Sequence, residues 1–197
     1  ITVIEHEENL GFIGANRIAF EHMDTPLGAF INDDVILCAG WQAILEQPFW
    51  KNDKMAIVGP RGGCNLCLEN GHGGWTEKDP DYVEMAHAMF SVPIFRKVGL
   101  FPPPLTFNYA EDSWQSLLCR EAGYEIKEVD CPGIKHKRAQ TSSRMPDVDA
   151  WAQKNRDALV RRFGYYLRTK RFAPDFLLNR KHAHGDVLLV GPVARAL

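Results

Sequence analysis

Two adjacent carboxylates, Asp33 and Asp34, close the apolar run of "GAFINDDVILCAGW" at residues 28–41. Like charges side by side repel each other, and a divalent cation beside them relieves that cost. Their oxygen donors suit Mg2+ or Mn2+. A turn or helix-capping role for Asn32 to Asp34 would explain the same residues without a metal. A second pair, Glu111 and Asp112 in "NYAEDSW", stands at the expected start of a helix. There the helix dipole favours the anion and keeps a carboxylate ready to accept a proton, although plain helix-terminal charge is the simpler alternative. His136 in "CPGIKHK" comes just past the alternating "YEIKEV". It too stands at a strand end, as a metal ligand or as an ordinary surface histidine.

Short apolar runs that alternate with helical patterns must position these residues, which is the signature of an α/β layered domain. "ITVIEH" is predicted as a strand, "GANRIAFEHM" as a helix, "GAFIN" as a strand, "GWQAILEQ" as a helix and "MAIVGP" as a strand. The glycine-rich segment 60–80 has no periodicity and is predicted as a long surface loop. Its Trp75, among hinge-like glycines, is either a sugar-stacking flap or part of a plain connector. "HAMFSVPIF" is predicted as extended, "AEDSWQSLLCREAG" as a helix ended by Gly123, and "YEIKEV" as a strand. Trp151 to Leu167 has helical spacing, with apolar Leu159, Phe163 and Tyr166 flanked by Arg161, Arg162 and Arg168. Ligands in open α/β sheets bind beyond the carboxyl ends of the strands, so the acids after "GAFIN" and the histidine after "YEIKEV" are expected at a cleft mouth.

At 197 residues and 45% hydrophobic content the chain suffices for one core. No run of about 18 apolar residues is present and the first residues lack a basic-then-apolar signal design, so the expectation is a cytoplasmic protein. Five scattered cysteines argue against a disulfide framework, and "CNLC" at 64–67 lacks enough partners, even with His72, to be a strong zinc or redox site. The overall charge of −2 is unevenly spread: Lys135 to Lys181 holds thirteen Lys and Arg against four Asp, a net +9, leaving −11 elsewhere. That basic third is expected to face a phosphorylated ligand or a membrane surface, nucleic acid being the weaker candidate, or else to be a solvated helix face.

The order of these segments resembles the inverting glycosyltransferases of the GT-A fold, specifically family 2. "ENLGFIGANRIAF" (8–20) is similar to the family's Asn-x-Gly-Phe segment and the small-residue helix after it. "INDDVILCAGW" (31–41) resembles its Asp-x-Asp region followed by Gly-Trp. "IVGPRG" (57–62), "FSVPIFRKVGLF" (90–101), "NYAEDSWQSLLCREAGYEI" (108–126), His136 and "NRDALVRRFG" (155–164) follow in the family's order. The resemblance covers roughly residues 1–165. It implies an α/β fold, a Rossmann-like mixed sheet flanked by helices, over residues 1–170, with an extension at 171–197 that holds a probable strand, "DVLLVGPVARAL".

By that resemblance Asp34 and His136 would hold Mn2+ or Mg2+, and Asp33 would support the metal or contact the donor's ribose. Asp112 would be the catalytic base with Glu111 orienting a sugar hydroxyl, and Asn9, Gly11 and Asn16 would line the nucleotide pocket. The implied activity moves a sugar from a nucleoside-diphosphate sugar to a glycan or lipid-linked acceptor, with peripheral membrane contact through the basic third. The family's usual first nucleotide-binding strands would precede "ITVIEH", so a fragment, half of a two-chain assembly and a reduced enzyme are all compatible with the pattern. A non-catalytic sugar-nucleotide or glycan-binding fragment and a metal-dependent phosphohydrolase are the alternative functions.

Overall fold

The structure is a computed structural model, and it describes residues 3–61, 80–137 and 147–173. In chain order the elements are α1 (Gly11–Glu21), β1 (Leu27–Ile31), β2 (Val35–Ile36), α2 (Trp41–Lys51), β3 (Met55–Pro60), β4 (His87–Ser91), α3 (Val92–Val98), α4 (Glu111–Glu121), β5 (Glu125–Val129), β6 (Lys135–His136) and α5 (Val148–Thr169). A four-stranded sheet has the order β1-β4-β3-β5, and β2 and β6 form a separate two-stranded ribbon. β4 runs antiparallel to both β1 and β3, whereas β3 and β5 are parallel. This is the mixed sheet flanked by helices that the sequence leads one to expect.

The sheet is buried where its strands read as continuous apolar runs. Every residue of β3 is buried, as are the first four of β4, the pattern of strands covered on both faces. Phenylalanines hold β1, β4 and α3 together. Phe30 stacks on Phe90 with centroids 4.4 Å apart, and Phe90 stacks on Phe95 at 4.6 Å. Leu159, Phe163 and Tyr166 of α5 join the same core.

Three sequence expectations change. Val3 to His6 form no strand, and Val3 and Ile4 are exposed at 75% and 45%. Apolar alternation needs a neighbouring strand to become a ladder, and these residues pair with none among the described residues. "HAMFSVPIF" is extended only to Ser91. The Ser91 hydroxyl accepts from the Ile94 amide at 3.5 Å, and Pro93 sits in the first turn of α3, so a cap and a preset φ overrule the β-branched composition. The apolar stripe of α5 faces the core rather than a membrane interface, and Arg162 is paired with Glu121. The sugar-stacking flap at Trp75, the "CNLC" cysteines with His72, most of the 60–80 loop and the strand at 186–197 lie outside the described residues.

Phe90→Ala removes both ring stacks from a fully buried position. It should destabilise the fold by about 3–5 kcal/mol, read as a lowered midpoint in urea unfolding with an unchanged slope. A loss below about 1 kcal/mol would mean that the three rings do not pack as one unit.

Candidate active site at the sheet edge

The strand directions bring distant segments to one edge of the sheet. β1 ends at Ile31, which pairs with His87 at the start of antiparallel β4. β3 and parallel β5 end on that same edge, at Pro60 and Val129. The chain leaving β1 therefore delivers Asn32 to Asp34 there, the chain entering β4 delivers Glu84 and His87, and the chain leaving β5 returns as β6 with His136. The Asn32 amide donates to the Ala86 carbonyl at 2.8 Å and the Lys137 amide to the Asp34 carbonyl at 3.0 Å, fixing both returns. In the ribbon Val35 pairs with His136.

His136 lies between two carboxylates. Its Nε2 is 3.1 Å from Asp34 Oδ1 and its Nδ1 is 3.7 Å from Glu84 Oε1. The His87 ring meets it edge-on at 5.7 Å. One ligand atom from each of Glu84, His87 and His136 fits within 4.8 Å of the others. Asp34 Oδ1 and His136 Nδ1 are buried and, beyond these two ion-pair contacts, have no partner in hydrogen-bond geometry among the described residues. Buried polar atoms normally find partners, so this donor set fits a cation. Two imidazoles beside carboxylates suit Mn2+ better than Mg2+, which prefers all-oxygen surroundings. Asp34 and His136, expected from sequence, are brought together, while Asp33 turns out to solvent. Glu84 and His87 were not anticipated, and a His opening an otherwise apolar strand was the signal available.

Helix periodicity sets Asp112 on the side of α4 that faces the chain leading into β4, near enough to feel the Glu84 charge. Four residues on, and so on the same face, the Ser116 hydroxyl accepts from the Val83 amide at 3.2 Å, holding the chain next to Glu84 against α4. Arg120 donates to the Pro80 carbonyl at 2.7 Å and the Tyr166 hydroxyl to Asp81 at 2.6 Å, securing the rest of that approach. Burial pushes Asp112 up to about 6, against hydrogen bonds from Ser113 and with the Glu84 charge adding to the rise. Burial and then the Asp112 charge push Glu111 up to about 8. The ionised state expected from the helix dipole is thus opposed by the loss of water, more strongly at Glu111 than at Asp112.

The connector from α3 to α4 sets where that helix begins. Phe107, Tyr109 and Ala110 all have positive φ, at 65°, 73° and 62°. Non-glycine residues there cost about 1–3 kcal/mol each unless the surroundings enforce them. Fully buried Asn155 of α5 supplies the enforcement. Its Nδ2 donates to the carbonyls of Thr106, Asn108 and Tyr109 at 2.7, 2.8 and 3.0 Å, and its Oδ1 accepts from the Thr106 amide at 3.2 Å. The same connector closes the start of α1. Asn108 Oδ1 accepts from the Phe12 amide at 2.6 Å, and the Phe107 carbonyl accepts from Ile13 at 2.9 Å. Gly11 has φ of 64° and sits so close that an added Cβ would lie 2.7 Å from the Phe107 carbonyl oxygen. Asn9, Gly11 and Asn16 line one cavity of 490 Å3 beside α1, and none of Asp33, Asp34, Asp112 or His136 lines it.

With this geometry in view, no family model matches the sequence and no curated protein matches it. Among solved structures, the chain superposes on the crystal structure of GalNAc-T7 with UDP, GalNAc and Mn2+ with a TM-score of 0.59 at 15% identity. The superposition covers 89% of this chain and 42% of that one, so the chain spans less than half the length of that neighbour. The fold is GT-A-like. Family 2 membership and the stereochemical outcome do not follow from a likeness at this identity.

Two outcomes follow from the carboxylates and their support. Both acids hold their protons more tightly folded than unfolded, so the folded chain carries more protons above about pH 4 and loses stability as pH rises towards 6 and then 8. Chemical denaturation of chelator-treated protein should show that decline, and Glu111→Gln with Asp112→Asn should flatten it. Asn155→Ala should cost at least about 1–3 kcal/mol, the penalty for one stranded buried carbonyl. A calorimetric melting point within a degree of wild type would show that the connector holds itself.

Proposed function

We propose that the chain is a metal-dependent glycosyltransferase that moves a sugar from a nucleoside-diphosphate sugar to an acceptor hydroxyl with inversion. The observation that carries this reading is the gathering of Asp34, Glu84, His87 and His136 at the strand ends of a GT-A-like fold, with Asp112 close enough to feel the Glu84 charge. UDP, GalNAc and Mn2+ in the GalNAc-T7 crystal support a nucleotide-sugar donor and a glycan acceptor. A lipid-linked acceptor fits the same chemistry.

Asp34, Glu84, His87 and His136 would hold a divalent cation, whose Lewis acidity neutralises the charge that grows on a departing diphosphate. Asp112 near 6 is mostly ionised at neutral pH yet basic enough to take the proton of the acceptor hydroxyl as its oxygen attacks. The oxygen then forms the new bond to the anomeric carbon on the face opposite the departing diphosphate, which inverts the configuration. Glu111, which burial and the Asp112 charge push towards its protonated form, would donate a hydrogen bond to a sugar hydroxyl. Asn9, Gly11 and Asn16 would line the nucleotide, and exposed Asp33 would reach the ribose.

Calorimetry of UDP-sugars with Mn2+, paired with a transfer assay, tests each part. Asp112→Asn should keep metal-dependent donor affinity while transfer falls by roughly 10²-fold or more, the mark of an interaction made chiefly in the transition state. His136→Ala should lose the Mn2+ dependence of donor binding with its circular dichroism unchanged. Wild-type transfer in Asp112→Asn would remove the proposed base, and a defect confined to Glu111→Gln would move it by one residue.

A further inference from the structure

The sulfurs of Cys38 and Cys131 lie 3.8 Å apart although 93 residues separate them in the chain. Cys38 follows β2 by two residues and Cys131 precedes β6 by four, so the pair closes the base of the ribbon that carries Asp34 and His136. The approach is built in. A Cβ added to Gly133 would lie 2.2 Å from Cys38 Cβ, so only glycine lets the two segments come this close. Each cysteine is also set in a turn, its carbonyl accepting from Trp41 at 3.3 Å and from Ile134 at 3.2 Å respectively.

We propose that Cys38 and Cys131 are an oxidisable dithiol that closes to a disulfide and clasps the two-stranded ribbon covalently. The ribbon has only two paired positions, Val35 with His136 and Ile36 with Lys135, so backbone pairing alone holds it weakly. The sulfurs must close to about 2.05 Å. The movement is that of two side chains already in contact.

A small-molecule disulfide such as oxidised glutathione is a sufficient oxidant. The half-exposed Cys38, as thiolate, attacks one of its sulfurs and expels one glutathione thiolate. Cys131 then gives up its proton and attacks Cys38 Sγ of the mixed disulfide, expelling the second. Two protein thiols are oxidised, one small disulfide is reduced to two thiols, and the two protons pass to the leaving thiolates. Burial pushes the Cys131 thiol up to about 11, so Cys38 is the point of entry. Cys119 is fully buried with its thiol pushed up to about 12, which makes it an internal control for non-specific oxidation. None of this depends on the proposed transferase activity.

The whole chain, incubated with oxidised glutathione and digested without reduction, should yield a peptide linking Cys38 to Cys131. Its mass should be lower by about 2 Da, two hydrogens, and dithiothreitol should restore it. Cys131→Ser should stop at a glutathione adduct on Cys38, and Cys38→Ser should leave Cys131 unmodified. In hydrogen exchange the Lys137 amide, which donates to the Asp34 carbonyl, should exchange more slowly in the oxidised form. No link between 38 and 131, or links spread equally over Cys64, Cys67 and Cys119, would overturn the assignment. A link without slower exchange at Lys137 would overturn the clasp.

Discussion

Everything at the sheet edge depends on how twelve residues without regular structure, from Gly99 to Ala110, are forced into one path. A stretch with four non-glycine residues at positive φ, three of them just before a helix, would not hold that shape alone. Side chains from three helices hold it, Gln115 and Asn155 fully buried and Arg17 partly so. Gln115 of α4 accepts from the Phe101 amide and donates to the Gly99 carbonyl, each at 2.8 Å. Arg17 of α1 reaches the Phe101 and Leu105 carbonyls, and Asn155 of α5 takes the far end. The interior has exchanged strand or helix pairing for side-chain amides, which meet the rule that buried backbone polar groups be satisfied. That exchange fixes the first residue of α4, and with it the direction of Asp112.

The electrostatics follow from the same placement. Asp34, Glu84, Glu111 and Asp112 gather where the strands end, and water is partly excluded from them. In solvent a helix N-terminus would lower both carboxyls of the pair. Here burial outweighs the dipole, because an N-terminal dipole is worth up to about 2 kcal/mol whereas a fully desolvated carboxyl can shift by several pH units. Two histidines stand inside the cluster, and the His136 ring nitrogens lie 3.1 Å from Asp34 and 3.7 Å from Glu84.

Much of the fold was legible from pattern. "GAFIN", "MAIVGP" and "YEIKEV" became β1, β3 and β5, and the helices from Trp41, Glu111 and Val148 fell close to their predicted ranges, because the apolar period is locally consistent there. Asp34 and His136 were legible through their places after strands. Glu84 was not, since its role depends on β4 running antiparallel to β1, which no local pattern encodes. His87 looked like a polar interruption of an apolar strand. Asn155 is a different case: it occupies the buried stripe of α5 with Leu159 and Phe163, a polar residue at core spacing, which must find partners inside. The pairing of Cys38 with Cys131 is a product of topology alone, because the ribbon joins segments nearly a hundred residues apart.

The likeness to GalNAc-T7 at 15% identity separates what a fold fixes from what a chain chooses. Strand order and direction fix that the residues after β1, before β4 and after β5 converge, whatever those residues are. Which chemistry results is decided by a handful of side chains, and in this chain those gathered there are Asp34, Glu84, His87 and His136, with Asp112 within the field of Glu84. Replacing an oxygen donor by imidazole at a divalent site favours Mn2+ over Mg2+, and it makes affinity pH-dependent, because each imidazole must be neutral to bind. The carboxyl proposed as base is pushed up to about 6 by burial, so proton abstraction would fail as pH drops towards that value. The proposed metal capture and proton abstraction would both rest on residues that four separate segments deliver to the strand ends.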